Sequence, residues 1–314
     1  MYKFCICSAG LGWGITFTPQ LSVITYYFRP KYHGVVLGLT STGFGTAMII
    51  MPPLVEWLIQ QYGWQGSVLL QIGLNLHLVV CAAVLRPTPS MVAFTTNDTG
   101  SQRAIWRKSE FVLLSVQQFI CSLGLSVVFV HLAYSIEVIL NVDRATSGLV
   151  ISVSGISNVI ARVVVGVIVK LPGVDALLQY AVQCGMTGAA VLLVPFVTSM
   201  PLMMFVAVLI GFGYSLYGAV LPVVIGQIVG KENLTAGIGA IHLGFGLGLC
   251  LGAPIAGLAY DLSKDYNTTL YFGGAVMVLS MFMMFPSIIK RRRQASIVER
   301  TNPTHAEVQY ECHM

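Results

Sequence analysis

Residues 145–169 read ATSGLVISVSGISNVIARVVVGVIV, a run whose single charge is Arg162. At a helical rise of about 1.5 Å per residue it is longer than the roughly 30 Å hydrocarbon core of a bilayer, so it reads as a membrane-spanning helix. A permanent cation at that depth is tolerated where it faces a water-filled cavity, another polar group or a substrate. On a helix, Ser147, Ser154, Asn158 and Arg162 are spaced by seven, four and four, which places them on one stripe about 80° wide with Gly155 at its edge. The other faces are mostly Val and Ile. A polar stripe on such a helix has to face protein or water, and Arg162 at its inner end can dock a carboxylate through two parallel hydrogen bonds. The competing reading is a structural arginine satisfied by backbone carbonyls or by a carboxylate elsewhere in the chain.

The rest of the chain resembles this run. Charged residues make up 9% of the 314 and hydrophobic residues 56%, against roughly 25% charged in a soluble domain, so a single soluble core is excluded. Nine apolar stretches of spanning length recur between polar breaks: residues 4–28, 35–59, 67–85, 111–138, 145–169, 176–198, 202–229, 234–260 and 270–289. Their length and lack of polar alternation imply helices and exclude barrel strands. The fold class is therefore all-α, a polytopic membrane bundle of about nine helices. Pro52 and Pro53 should bend the second span, and a tight turn at Tyr62, Gly63 and Trp64 should lead into the third.

Lysine and arginine collect in every second break: Arg29 and Lys31, then Arg86, Arg103, Arg107 and Lys108, then Lys170, Lys231, and Lys290 to Arg293. By the positive-inside bias those loops are cytoplasmic, which puts Met1 outside and Met314 inside. The net charge of +5 follows largely from this bias and needs no nucleic-acid partner. Residues 86–108 are the one long polar break and divide a three-span unit (1–85) from a six-span unit (109–289), with a cytoplasmic tail at 290–314. The first stretch is too long for a signal peptide and contains Pro19 and Gln20. The seven cysteines, six in predicted spans and Cys312 in the tail, outline no disulfide framework. The acceptor-like triplet at Asn267 lies on the predicted outer side, close to the membrane.

Beyond the stripe, three groups deserve a site reading. His77, His131 and His242 fall inside predicted spans, where each can titrate near neutral pH. His131 and His242 are candidates for ion coupling, although a lone membrane histidine more often bonds a neighbouring helix. The seventh span carries Gly211, Tyr214, Gly218 and Pro222 on one face with Tyr217 beside it; the tyrosines can orient a polar substrate or simply pack. Gly244, Gly248 and Gly252 form a small-xxx-small face suited to close helix contact, and no phosphate loop is implied because no strand precedes them. Glu56, Glu110 and Glu137 sit near span ends. No metal-ligand cluster, nucleophile–base pair or paired carboxylates occur in the loops, so neither an enzyme nor a cofactor is expected.

Tyr27, Phe28, Gly38 and Gly43, the Tyr62 to Gly66 turn, Leu85, Arg86 and Pro87, then Ile228, Val229, Gly230, Gly252, Pro254, Gly257 and Asp261 resemble, in order, segments of the monocarboxylate transporter family of the major facilitator superfamily. The resemblance runs to about Lys290 and matches this chain to spans four to twelve of a twelve-span protein, which explains the unequal halves. The family's acidic, Gly and Trp signature of the first span, and a lysine there used by lactate-carrying members, have no counterpart. Proton-coupled members carry an Asp one turn before an Arg in the eighth span; Asn158 and Arg162 stand at those positions. The resemblance thus implies carboxylate binding at Arg162 beside Asn158 and puts proton coupling in doubt, since an amide takes up no proton; Ser154 of the stripe and Tyr214, Tyr217 and Pro222 of the seventh span, read from the helix faces, complete the candidate lining. Pro222 replaces a bulky aromatic residue, which suits a different or larger substrate. Members can require a single-span glycoprotein partner to reach the surface.

The expectation is a plasma-membrane carrier of small organic anions working by alternating access. Two alternatives from other classes stand beside it: a non-transporting truncated form that pairs with a full-length relative, and a seven-span receptor.

Overall fold

A computed structural model describes residue 27 and residues 33–84, 105–168, 175–215, 220–230 and 233–301. The predicted first span apart from Tyr27, most of the 86–108 linker, Tyr217 and the end of the tail lie outside these residues. Among the described residues the secondary structure is helical, with no strand. A chain that spans lipid has to close its backbone hydrogen bonds within each segment, and an isolated helix does so.

Helix α1 (His33–Val84) is one run in name only. It passes through Pro52 and Pro53 and breaks at Gly63, whose φ of 66° and ψ of 173° are non-helical. A straight helix would set Met51 and Leu74 roughly 35 Å apart, yet both line one cavity with Gln71 and Cys81. The two arms therefore fold back on each other. The turn falls where the sequence places it, at a residue with no Cβ to resist positive φ.

Past the linker come α2 (Ser109–Val130) and α3 (Leu132–Leu140), separated at His131. Helical bonds continue through the junction, His131 N–H donating to the Val127 carbonyl at 2.8 Å and Ser135 N–H to the His131 carbonyl at 2.9 Å, so the expected span 111–138 departs from regular helix at one residue. Asn141, in the left-handed region at φ 51°, closes α3, and α4 (Arg144–Ile168) follows. α5 (Ala176–Leu193) is capped by the Asp175 carboxylate, which accepts from the Leu177 N–H at 2.9 Å, and tightens into a 3₁₀ turn, Val194–Phe196. The described part of the expected seventh span forms α6 (Met200–Tyr214) and α7 (Leu221–Val229), and residues 216–219 lie outside the described residues; Pro222 stands in the first turn of α7, where its missing N–H costs nothing. α8 (Leu234–Ser263) and α9 (Tyr266–Thr301) complete the set. α9 runs through Lys290 to Arg293, so the basic cluster continues the helix. Arg and Lys are good helix formers, so a change of polarity alone does not end the helix.

α4 packs between α1 and α6, α5 bridges α6 and α9, and α2 lies against α8 and α9. α8 divides by side-chain size. Gly244, Gly248 and Gly252 face α2, where a Cβ on Gly248 would lie 2.5 Å from the Phe119 carbonyl oxygen and one on Gly252 2.5 Å from that of Leu123. Leu243, Leu247, Leu251, Leu258 and Leu262 on the remaining surface are exposed, as a lipid-facing surface requires. The six segments long and apolar enough to cross a membrane lie in α1, α2, α4, α5 with its 3₁₀ turn, α8 and α9. The α1 segment contains two of the predicted spans, and α6 is shorter.

Charges collect at the two ends of the bundle. At one end Glu110 pairs with Arg291 at 3.1 Å and Lys290 at 3.5 Å, and Lys108 Nζ donates to the Ile228 carbonyl at 2.9 Å. At the other, Ser147 donates to Glu137 at 3.0 Å, and Tyr134, Tyr260 and Tyr266 cluster with centroids 4.2–5.0 Å apart, like the aromatic belt of a membrane interface.

Candidate functional site

Helix α4 is clamped on two sides, and the clamp sets its polar stripe. Toward α6, Ser157 donates to the Val208 carbonyl at 2.8 Å and Asn158 Nδ2 to the Gly211 carbonyl at 2.9 Å. Only a glycine permits this approach: a Cβ on Gly211 would sit 2.0 Å from the Ser154 carbonyl oxygen. Toward α1, a Cβ on Gly155 would lie 3.1 Å from the Gly45 carbonyl and 2.9 Å from Ile49. The small residues that look like stripe edges in the sequence are contact points with two other helices.

Arg162 is 2% exposed. Its Nε donates to Asn158 Oδ1 at 2.8 Å, and its guanidinium carbon lies 5.5 Å from the centre of the Phe44 ring, within cation–π range. Asn158 is fully buried and committed at both ends of its amide, donating to Gly211 and accepting from Arg162. It holds the guanidinium in place without neutralising it. The ion pairs among the described residues are Arg144 with Glu137, Lys264 with Asp261, and Glu110 with Lys290 and Arg291. No described carboxylate therefore pairs with Arg162. With Nε engaged, the two Nη groups remain to grip a carboxylate end-on. A buried cation without a counter-charge is costly, and an incoming anion would relieve that cost.

Beside the guanidinium stands an aromatic cluster. Phe44 and Tyr214 have centroids 5.2 Å apart, Phe129 and Tyr214 5.4 Å, and Phe44 and Phe129 6.2 Å. Phe44 and Phe129 are each about 40% exposed, so the cluster gives the surroundings of Arg162 an open, apolar side. Tyr214 also closes one wall of a small cavity of about 30 Å³, lined by Gln118, Tyr180, Gln183, Cys184 and Thr187 among others. There the Tyr180 hydroxyl donates to Gln118 Oε1.

Ser154 is buried against α6, and its hydroxyl donates to the Ile151 carbonyl of its own helix at 2.6 Å; it shapes the contact with Gly211. Ser147 lies at the far end with Glu137. Pro222 is buried in α7, whose first turn joins the apolar cluster containing Val165, one turn beyond Arg162. His131 marks the break between α2 and α3, and its Nε2 is buried without a hydrogen-bond partner among the described residues. His242 Nδ1 lies 2.8 Å from the Ile238 carbonyl of its own helix. His77 is exposed, 3.2 Å from the Leu74 carbonyl. The structure thus brings together Asn158, Arg162 and Tyr214.

Sequence reading missed Phe44, Phe129 and the Gln118–Tyr180 pair. The aromatic residues lie on helices far apart in the chain and carry no spacing signal. Gln117, Gln118 and Gln183 did carry one, since amides inside apolar runs are as informative as the arginine.

Two overlapping stretches, residues 3–183 and 114–308, match the profile of the Major Facilitator Superfamily. The chain is 30% identical over 275 residues to monocarboxylate transporter 13 of Bos taurus, covering 86% of this chain and 63% of that protein. It is 24% identical over 326 residues to monocarboxylate transporter 12 of Xenopus laevis, covering 93% and 70%. It is 28% identical over 301 residues to monocarboxylate transporter 4 of Mus musculus, covering 90% and 63%. The chain thus spans a little under two thirds of the length of the first of these relatives.

Proposed function

This chain belongs to the Major Facilitator Superfamily as a multi-span integral membrane protein related to the monocarboxylate transporters, and we propose that it carries small organic anions, monocarboxylates foremost, across the plasma membrane by alternating access. One observation carries the reading: a 2% exposed arginine that no described carboxylate neutralises. Arg162 holds the substrate carboxylate through its Nη groups, Asn158 fixes the guanidinium, and Tyr214 with Phe44 and Phe129 packs the rest of the substrate. The six helical spans of the C-terminal unit, and the hairpin of α1 against α4, are the bodies that move relative to one another.

Asn158 gives the site no exchangeable proton, so uptake depends weakly on an inward proton gradient. The test is uptake of a labelled small monocarboxylate into vesicles containing the full chain, with Arg162→Ala and Arg162→Lys compared at equal surface amounts. Arg162→Ala should lower uptake at least tenfold, and Arg162→Lys should restore little, because an ammonium cannot grip a carboxylate in two places. Undiminished uptake by Arg162→Ala sinks the assignment. If the wild-type chain co-purifies with a longer relative and moves no anion by itself, it acts as a companion and not as a carrier.

A further inference from the structure

Cys121 on α2 and Cys184 on α5 bring their sulfurs to 3.8 Å across a helix interface. Both are free thiols, Cys121 buried and Cys184 partly accessible, and both line the small cavity that Tyr214 closes. The register between the helices is pinned around the pair. One turn away the Tyr180 hydroxyl donates to Gln118, and Gln117 Nε2 lies 3.6 Å from the Cys184 sulfur. From 3.8 Å the two sulfurs have to close to the roughly 2.05 Å of a disulfide.

We propose that Cys121 and Cys184 form an oxidisable dithiol, a modification site that a peroxide converts to a disulfide tying α2 to α5 beside the Tyr214 cavity. In the first step one thiol attacks the peroxide oxygen. An S–O bond forms, the O–O bond breaks, and the released hydroxide takes up the thiol proton as water, leaving a sulfenic acid. In the second step the neighbouring thiol attacks that sulfur; an S–S bond forms, the S–O bond breaks, and the departing hydroxyl leaves with the second thiol's proton as another water. The pair loses two electrons and the peroxide gains them. Hydrogen peroxide is small and neutral, so it can reach a site between helices that a charged oxidant cannot. The inference rests on this geometry alone and not on the transport reading.

Two exposed thiols, Cys81 and Cys250, serve as internal comparisons. The full chain in membranes is treated with hydrogen peroxide, its remaining thiols are blocked, and the product is mapped by peptide mass spectrometry, with Cys121→Ser and Cys184→Ser alongside. The expected result is a Cys121–Cys184 linked peptide, two hydrogens lighter than the sum of its parts. It should disappear in either variant and with a dithiol reductant, and it should form at lower peroxide than any link involving Cys81 or Cys250. A trivalent arsenical, which bridges paired thiols, should independently protect both cysteines from alkylation. Oxidation of Cys81 and Cys250 with no Cys121–Cys184 link, or arsenical protection of neither cysteine, overturns the proposal.

Discussion

Replacing Gly211 with alanine tests whether the α4–α6 contact sets the position of Arg162. The new Cβ would stand 2.0 Å from the Ser154 carbonyl oxygen, 2.8 Å from its carbon and 2.9 Å from its Cα. These are backbone atoms on a helix and cannot swing aside, and the closest approach falls about 1.4 Å short of the 3.4 Å at which ordinary contact begins. The helices have to part. Overpacking of this kind costs about 1–3 kcal/mol. Separation also stretches the 2.9 Å bond from Asn158 to the Gly211 carbonyl, adding about 1 kcal/mol for a buried hydrogen bond. The expected loss is therefore about 2–4 kcal/mol, seen as a fall of roughly 5–10 °C in the unfolding midpoint followed by tryptophan fluorescence in detergent. The comparison variant is Gly257→Ala on α8, where a Cβ meets nothing within 4 Å; a helical alanine there should be neutral or stabilising by about 0.5–1 kcal/mol. Because Asn158 orients Arg162, Gly211→Ala should also weaken anion binding more than its loss of stability explains. A midpoint within a degree of wild type would refute the geometry.

Two further outcomes follow from the ends of the bundle. Glu110→Gln removes the pairs to Arg291 at 3.1 Å and Lys290 at 3.5 Å; these are partly exposed, so the expected loss is about 1 kcal/mol, shrinking as salt is raised, and a salt-independent loss would show that packing and not charge is at stake. Asp143, just before α4, has its carboxyl held below the usual carboxylate range by the Thr146 hydroxyl. A depressed folded value means stability that is present above the ordinary range near pH 4 and is lost as pH falls through the lowered value. Thr146→Val should therefore narrow the gap in stability between neutral and acidic pH. An unfolding titration with an unchanged acid limb would count against this.

Membrane class, helical composition and the turn at Gly63 were legible in the sequence because each is set locally. Lipid requires long apolar runs with their backbone bonds closed internally, and a residue at positive φ favours glycine. Arg162 and Asn158 were legible too, because a charge inside such a run is conspicuous wherever its partners lie. The departure at His131 and the end of α6 at Tyr214 were not, since apolar composition persists through both. The extension of α9 past Lys290 was equally hidden, because basic residues sustain a helix as well as they flank a membrane.

What only the tertiary structure decided is which residues meet. Phe44, Phe129 and Tyr214 come from three helices, and Cys121 and Cys184 from two, 63 positions apart in the chain. A one-dimensional pattern records which face of a helix is polar but not which neighbour that face will touch. The neighbour is selected by close packing, here by Gly211, which lets α4 approach α6 until the Asn158 amide reaches a backbone carbonyl. The sequence by itself determined that a buried cation exists; the packing decided that an amide and an aromatic ring, and no described carboxylate, stand beside it.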